Sequence, residues 1–337
     1  METDKHHHCH EDGDCCGGHK DCCGHHHDHS HEGKDAKENT KEYYDKIRST
    51  LEGYDYSETY ETAEHEAAHI IEHHFEENNT PEVKKFLLSS LELTSLKVTD
   101  NEESILQMVE KVNTFQEAYP ELPNVAGICV YPNFISLVYS SLEDDNIHLT
   151  SVAGSFPSAQ TFSEVKLAEV GLALKDGADD IDIVLPVGKF LSGDYESIAD
   201  EIGEIKAYVG DGTLKVILET GALAKDDLIT RAAILAMYSG ADFIKTSTGK
   251  LNIGATPAAV YLMSRAIKQY TTKHPEMNIG IKIAGGIHTA KEAVEYYTII
   301  KEVLGAGMMT TKTFRIGASS LANALISDIT GSETKYF

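Results

Sequence analysis

The sequence has 337 residues, of which 41% are hydrophobic, so it can hold one large domain or two ordinary ones. Its formal net charge of −25 disfavours nucleic acid and anionic membrane surfaces as partners. We find no apolar run that could span a bilayer and no secretory signal, which argues against a membrane or secreted protein. Five of the six cysteines lie between residues 9 and 23, so we expect a reduced, cytoplasmic protein without a disulfide framework.

The first segment, residues 1–34, is rich in histidine and cysteine and contains almost nothing that could form a core. This composition predicts a disordered tail. Thiolate and imidazole ligands suit zinc, copper(I) or nickel, and the irregular spacing favours loose binding at several sites over a defined zinc finger. We expect any such metal to be adventitious or regulatory.

An acidic helical extension is predicted over residues 35–80. It contains "HEAAH" at residues 65–69, which matches the HExxH pattern of zinc proteases, because two histidines at i and i+4 can share one metal. Such an enzyme also needs its own sheet and a third ligand downstream. A solvated helical face therefore explains the pattern better than a catalytic zinc site.

Residues 81–337 alternate regularly between short apolar segments and helical patterns. Alternating strands and helices imply a parallel sheet, and eight such units in about 240 residues predict an α/β protein of the (β/α)8 TIM barrel type. An open doubly wound sheet is the alternative, but "LELTSLKVTD" lacks the glycine-rich phosphate loop expected there. The predicted strands are residues 89–96, 125–131, 148–154, 179–186, 214–220, 242–247, 279–285 and 314–319.

Strand alternation predicts which side chains point into the barrel. In "DDIDIVLP", Ile181 and Ile183 must face the helices, so Asp180 and Asp182 face the interior. The fourth strand therefore carries two inward carboxylates.

The same rule, applied to "FIKTS", "IGIKIAG" and "GICVY", turns Lys245, Lys282 and Cys129 inward. An internal repeat supports this placement, since "GADDID" and "GADFIK" align residue for residue 63 positions apart and make Asp182 equivalent to Lys245. Alternate strands contribute to one interior layer, so these two side chains should face each other. We expect Cys129 to be a small core residue.

Two lysines and a carboxylate inside one barrel suggest amine catalysis. A neighbouring cation makes a lysine easier to deprotonate, and Lys282 is the candidate for that effect on Lys245. A neutral Lys245 can attack a carbonyl to form a Schiff base, while Asp182 moves protons directly or through water. The alternative is a buried structural ion pair between lysine and aspartate.

A phosphate site is predicted on three neighbouring loops. TIM barrels often bind phosphate on the loops after strands seven and eight, at helix N-termini. Here those loops read "AGGI" and "GASS", and "TGK" after strand six adds a cation. The candidate phosphate-binding residues are Gly249, Lys250, Gly285, Gly286, Ser319 and Ser320.

Taken together, these motifs resemble the deoxyribose-phosphate aldolases, which are class I, Schiff-base-forming aldolases. The resemblance covers roughly residues 85–337 and rests on "LELTSL", "ICVYP", "GADDIDIVLP", "KVILETG", "GADFIKTSTGK", "IKIAGGIHT" and "FRIGASS" in this order. Glu92 stands where relatives often have aspartate. The family often ends in a tyrosine that reaches the active site, whereas Tyr336 is penultimate here and is followed by Phe337.

The resemblance implies a reaction and its residues. Lys245 would form the imine with the aldehyde carbon of 2-deoxy-D-ribose 5-phosphate, and Lys282 and Asp182 would assist proton transfer. The products would be acetaldehyde and D-glyceraldehyde 3-phosphate, with no metal or other cofactor. Its glycine, lysine and serine loops would hold this small phosphorylated sugar, and a homodimer is expected.

A function of a different class also fits the sequence. The histidine- and cysteine-rich tail could make this a metal-buffering or metal-sensing protein, built on a barrel that has lost its activity. A covalent adduct on Lys245, trapped with borohydride, would distinguish an aldolase from this alternative.

Overall fold

The computed structural model describes the backbone of residues 32–337 and the side chains of residues 42–337. Nearly all of the predicted tail, residues 1–34, lies outside the described residues, so its disorder and metal binding stay predictions. The chain divides into two units, Met1–Tyr44 and Asp45–Phe337. None of the described helices is long and apolar enough to cross a membrane.

Eight parallel strands close into a barrel in sequence order, with the last strand paired to the first. This confirms the predicted (β/α)8 barrel and excludes the open doubly wound sheet. The observed strands are β1 (Leu91–Thr94), β2 (Gly127–Val130), β3 (His148–Val152), β4 (Asp180–Val184), β5 (Thr213–Ile217), β6 (Phe243–Lys245), β7 (Gly280–Ala284) and β8 (Phe314–Ala318). Seven of the eight predicted segments contain an observed strand completely, and the fifth, residues 214–220, overlaps β5, which begins one residue earlier at Thr213.

Helices precede, connect and follow the strands. Two of them, α1 and α2, form the helical part of the N-terminal extension. In the described part of the chain the helices are α1 (Glu32–Glu52), α2 (Tyr60–Asn78), α3 (Pro81–Ser89), α4 (Glu102–Asn113), α5 (Phe115–Ala118), α6 (Ile135–Ser141), α7 (Ser163–Lys175), α8 (Val187–Leu191), α9 (Tyr195–Val209), α10 (Leu228–Tyr238), α11 (Pro257–Lys273), α12 (Ala290–Leu304) and α13 (Leu321–Thr330), with short 3-10 turns at Pro132–Phe134, Thr220–Ala222 and Ala306–Met308.

The main apolar core lies between the barrel and its helices. Outward side chains of the strands, such as Ile181, Ile244 and Ile281, are completely buried there. Because successive side chains of a strand point to opposite faces, the residues between these isoleucines must point into the barrel. The fold thereby forces charged side chains of β4, β6 and β7 into the interior.

The extension packs on the barrel through α2. Its Ala63 and Ala67 are fully buried, and α2 lies against α11 and α12. His65 and His69 of the "HEAAH" pattern are exposed on the other side of α2. Among the described residues, neither belongs to a group of side chains close enough to share a metal. The pattern therefore lies on a solvated helical face, as the sequence suggested.

Candidate active site

Lys245, Asp182 and Lys282 meet in the barrel interior. Lys245 Nζ donates a hydrogen bond to Asp182 Oδ2 at 2.8 Å, and Lys282 Nζ donates to the same oxygen at 2.7 Å. Lys282 also donates to the Glu92 carboxylate. The two lysines lie side by side because β6 and β7 pair with Lys245 opposite Lys282. All four side chains are almost completely buried.

A second group of charges lies next to this trio. Lys215 Nζ is 2.6 Å from Asp180 Oδ2 and 3.4 Å from Asp182 Oδ1. Arg315 Nε is 3.6 Å from Glu92 Oε1. Together these side chains form one buried ionic network, in which each charged group has a partner of opposite sign. Its members are Glu92, Asp180, Asp182, Lys215, Lys245, Lys282 and Arg315.

The sequence reasoning missed Lys215 and Arg315 as interior residues. The alternation rule applies to "LKVILET" and "FRIGAS" as well, since Leu214 and Phe314 are outward, fully buried aliphatic or aromatic residues. Glu92 follows in the same way from its outward neighbour Leu91. The period of two along these strands therefore predicts Glu92, Lys215 and Arg315 as interior residues.

Charge states in the interior follow from this network. Burial opposes ionisation of Asp182, but the ammonium groups of Lys245 and Lys282 outweigh it and hold the pKa of Asp182 well below its ordinary value. Burial likewise opposes the charge of Lys282, but Asp182 and Glu92 outweigh it and raise the pKa of Lys282 above its ordinary value. At neutral pH Lys282 is therefore a cation and Asp182 an anion.

A cavity of about 250 Å³ opens above Lys245 at the carboxyl ends of the strands. In TIM barrels this is the face that carries the active site. Five of the six predicted phosphate-binding residues line the cavity together with Lys245, namely Gly249, Lys250, Gly285, Gly286 and Ser319. Ser320 lines a neighbouring cavity instead, and its Oγ lies 3.2 Å from His288 Nδ1.

The cavity wall is cationic although the whole chain is strongly acidic. Lys97, Lys245, Lys250 and His288 line it, and no carboxylate of the described residues does. Such a wall favours an anionic ligand. Lys97 and His288 were not predicted from the sequence, although both follow a strand at the end where TIM-barrel sites lie.

Two of the cavity loops are in direct backbone contact. We call residues 246–256 the β6 loop and residues 285–289 the β7 loop. Ala255 N donates to Gly285 O at 3.0 Å. A Cβ on Gly254 would lie only 2.3 Å from Gly285 O, so glycine is required for this approach. The two loops therefore cannot move independently.

Lys250 also ties the β6 loop to the loop after β1. Its ammonium donates to the Leu96 carbonyl, next to Lys97, and its backbone N donates to Thr248 Oγ1 at 3.0 Å. An ammonium has three protons, so two remain for a bound anion. The contact with Leu96 thus fixes Lys250 at the cavity wall and leaves its ammonium able to bind an anion.

Tyr336 lies away from the cavity. Its hydroxyl donates to Lys111 O at 2.9 Å and lies 2.9 Å from Thr114 Oγ1, and its ring packs on Phe115 and Tyr119. In this conformation Tyr336 does not reach the active site, unlike the terminal tyrosine of the family that it resembles.

Cys129 is buried in a small apolar cluster with Leu96 and Val152, as expected for a core residue. Burial raises the pKa of its thiol, which disfavours a nucleophilic thiolate. Glu92, Cys129 and Asp182 hold possible metal-ligand atoms within 4.8 Å of one another. However, Lys282 donates to both carboxylates, so an ammonium already occupies the position that a cation would take.

Comparison with known proteins gives a consistent result. Residues 93–324 match the family described as DeoC/LacD family aldolase. A deoxyribose-phosphate aldolase from Agrobacterium fabrum is 35% identical over 253 residues, which cover 75% of this chain and 93% of that protein. The deoxyribose-phosphate aldolase of Homo sapiens is 40% identical over 198 residues, covering 58% of this chain and 62% of the human protein.

Solved structures agree with these sequence matches. A Toxoplasma gondii protein described as a candidate deoxyribose-phosphate aldolase superposes with a TM-score of 0.67 at 28% identity, covering 75% of this chain and 96% of that one. The deoxyribose phosphate aldolase of Aeropyrum pernix gives 0.57 at 25% identity, covering 77% and 96%, and is described as a unique tetramer. These matches give no support to the metal-buffering alternative, and the predicted homodimer stays a prediction.

Proposed function

Since the chain belongs to the DeoC/LacD family of aldolases, we propose that it is a deoxyribose-phosphate aldolase, a carbon–carbon lyase. Its reaction is the reversible cleavage of 2-deoxy-D-ribose 5-phosphate to acetaldehyde and D-glyceraldehyde 3-phosphate. The observation that carries the proposal is Lys245 itself. Its amine is buried and lines a cationic cavity. It donates to the Asp182 oxygen that also accepts a hydrogen bond from Lys282.

We assign the substrate's phosphate to the loops of the cavity. Lys250 supplies charge, Ser319 a hydroxyl, and Gly285 and Gly286 supply backbone that can approach the anion closely because neither carries a Cβ. Gly249 lines the cavity beside Lys250 in the same way. A sugar bound by its phosphate at the rim extends its aldehyde carbon toward Lys245. In this proposal Ser320 acts indirectly, by orienting His288.

The first chemical step is attack of the neutral Lys245 amine on C1 of the open-chain sugar. The resulting carbinolamine loses water and becomes a protonated imine, which draws electrons from the bond between C2 and C3. Lys282 donates to the same Asp182 oxygen as Lys245, so its ammonium lies beside the proposed nucleophile.

Cleavage follows when a base takes the proton from the C3 hydroxyl. The electrons of the O–H bond form the aldehyde of glyceraldehyde 3-phosphate, and those of the C2–C3 bond flow into the imine to give an enamine. We assign proton transfer to Asp182 and Lys282, which are hydrogen-bonded to each other beside Lys245. Protonation of the enamine at C2 and hydrolysis of the imine release acetaldehyde and regenerate Lys245.

Borohydride trapping tests the proposal directly. Incubating the protein with 2-deoxyribose 5-phosphate and borohydride should add the mass of a reduced imine on Lys245, located by peptide mass spectrometry. Lys166, a buried lysine paired with Glu201 outside the cavity, is the internal control and should stay unmodified. Cleavage should continue in excess chelator, because no step needs a metal. An unmodified Lys245, or activity lost with chelator, would contradict the mechanism.

Two features of the proposal concern the protein's setting. We propose a cytoplasmic enzyme, supported by Cys129, which is free and fully buried. We also propose a homodimer, which sedimentation of the full chain would test against a monomer or a tetramer.

A further inference from the structure

The N-terminal extension reaches the active-site loops, although the family match begins only at residue 93. We propose that Tyr60 is a positioning residue, whose hydroxyl acts through Thr256 to hold the β6 and β7 loops in the arrangement that binds the substrate's phosphate. This inference rests on the proposed function for the identity of the ligand. The coupling between the extension and the loops is inferred from the observed contacts and does not depend on the proposed function.

The contact joins the start of one helix to the start of another. Tyr60 Oη lies 2.8 Å from Thr256 Oγ1, and both residues are half-buried. Thr256 is the last residue of the β6 loop and the N-cap of α11, where its Oγ1 accepts a hydrogen bond from Ala259 N at 3.2 Å. One hydroxyl therefore fixes the end of the loop, the start of α11 and the link to the extension.

From Thr256 the coupling continues to the phosphate loops through backbone. The preceding residue, Ala255, donates to Gly285 O, and its carbonyl accepts from the Tyr296 hydroxyl at 3.0 Å. Gly254 lies so close to Gly285 that a single methyl group would not fit between them. A shift of Thr256 must therefore move Gly285, which lines the cavity.

On the other side, Tyr60 is held rigidly. It is the first residue of α2, and Thr59 caps that helix. The preceding residue, Glu58, lies 3.2 Å from Arg265 Nε and accepts a hydrogen bond from the Tyr261 hydroxyl at 3.2 Å, both on α11. A rigid anchor is what a positioning contact requires, because a mobile one would transmit no restraint.

Tyr60→Phe tests the inference, because it removes the hydroxyl and keeps the ring. We expect KM for 2-deoxyribose 5-phosphate to rise about fivefold, which corresponds to one lost hydrogen bond, with kcat changed less than about twofold. Turnover of unphosphorylated 2-deoxyribose should not change. A change in kcat alone, or an equal change with both sugars, would overturn the inference.

Two further variants separate positioning from general stability. Tyr56→Phe is the matched control, since Tyr56 is also in the extension but donates to Leu51 O, away from the loops. It should leave KM unchanged. Thr256→Ala should raise KM, and the double variant Tyr60→Phe/Thr256→Ala should be no worse than Thr256→Ala alone. Additive effects, or equal effects of both tyrosine variants, would contradict the proposed coupling.

Measurements without turnover keep this inference separate from the proposed function. In Tyr60→Phe, amide hydrogen exchange should be faster in the β6 loop and unchanged in α4. Titration with inorganic phosphate should give a Kd about fivefold weaker than that of the unsubstituted protein. If the protein does not cleave the sugar but both shifts occur, the proposed reaction is wrong and the positioning role stands. If neither shift occurs, the positioning role is wrong.

Discussion

Asp182 is the common partner of the three buried lysines of the site. One of its oxygens contacts two lysines, and the other lies 3.4 Å from a third. The excess of positive partners keeps it ionised despite complete burial. A buried carboxylate in this position can accept a proton only when one of its ammonium partners loses a proton and becomes neutral. The proposed imine formation by Lys245 requires such an exchange.

Replacing Lys282 with methionine should damage both rate and stability. The change leaves Glu92 and Asp182 adjacent, buried and without the cation that joins them. We expect kcat to fall about 10²- to 10⁴-fold and the free energy of unfolding to fall by about 3–5 kcal/mol. Lys225→Met, at an exposed lysine, is the control for both measurements. An active Lys282→Met enzyme would remove Lys282 from the proton-transfer step.

Lys250→Ala should weaken binding more than chemistry. Both lysines line the cavity, but Lys250 is exposed whereas Lys245, the proposed nucleophile, is buried. Loss of one charge-assisted contact to phosphate predicts a rise of roughly 10- to 100-fold in KM, with kcat nearly unchanged. Steady-state kinetics with phosphorylated and unphosphorylated sugar would measure the difference. A pure effect on kcat would contradict the phosphate-binding role.

At the scale of elements, the site depends on loops that are packed against one another. The β6 loop contacts the β7 loop through backbone and the loop after β1 through Lys250. Short parallel strands present these loops at one end of the barrel, and helix starts such as that of α11 hold their far ends. The loops can therefore present a preorganised cradle with little conformational entropy left to lose on binding.

Gly254→Ala tests this packing. The new methyl group would lie 2.3 Å from Gly285 O, so the β7 loop has to move away. We expect KM for the phosphorylated sugar to rise about tenfold, because Gly285 would leave its position at the proposed phosphate site. Gly188→Ala is the matched control, since a methyl group there meets nothing within 4 Å. Equal kinetics in the two variants would show that the loop contact does not position the ligand.

At the scale of the whole molecule, the part of the extension that packs on the barrel is distinct from the tail. Asp45–Phe337 is one unit, and α2 covers α11 and α12 with fully buried alanines. The boundaries at residues 34 and 80 were predicted from changes in composition, and they stay predictions.

Two truncations should differ for this reason. Deleting residues 1–31 should leave kcat, KM and thermal stability nearly unchanged, with and without chelator. Deleting residues 1–80 should lower the melting temperature strongly, because it exposes the apolar faces of α11 and α12 that α2 covers. Thermal unfolding and aldol cleavage of both truncated chains would measure this. Loss of cleavage on removing residues 1–31 would instead support a working role for the tail.

The buried network also makes stability depend on pH. Burial opposes ionisation of Asp180, but Lys215 and His148 outweigh it and hold the pKa of Asp180 below its ordinary value of 3.8. A carboxylate whose pKa is lower in the folded state stabilises the fold above its ordinary pKa. That contribution is lost as pH falls from there toward the folded-state pKa. The network should therefore weaken in acid.

Asp180→Asn isolates this contribution. We expect it to lower the free energy of unfolding by about 3 kcal/mol at neutral pH, because Lys215 loses its nearest partner. The difference from the unsubstituted protein should shrink below about pH 4, where the native carboxyl also begins to bind a proton. Urea unfolding at several pH values would measure both effects. A difference that stays constant with pH would contradict the ionised state of Asp180.

Much of this arrangement follows from the sequence alone. Alternation along "DDIDIVLP", "FIKTS" and "IGIKIAG" turns Asp182, Lys245 and Lys282 inward, because side-chain direction in a strand is a local property with a period of two residues. Strand–helix alternation likewise predicts the closed barrel. Local rules of this kind need no knowledge of which strands are neighbours.

Only the tertiary structure decided which residues far apart in the sequence share a hydrogen-bond acceptor or line the same cavity. Contacts such as the one between Tyr60 and Thr256 join residues 196 positions apart, and no local pattern encodes them. The same holds for the shared oxygen of Asp182, for Lys97 in the cavity wall and for Tyr336 packed outside it. These depend on strand register, loop path and helix packing, which are set by the whole core at once.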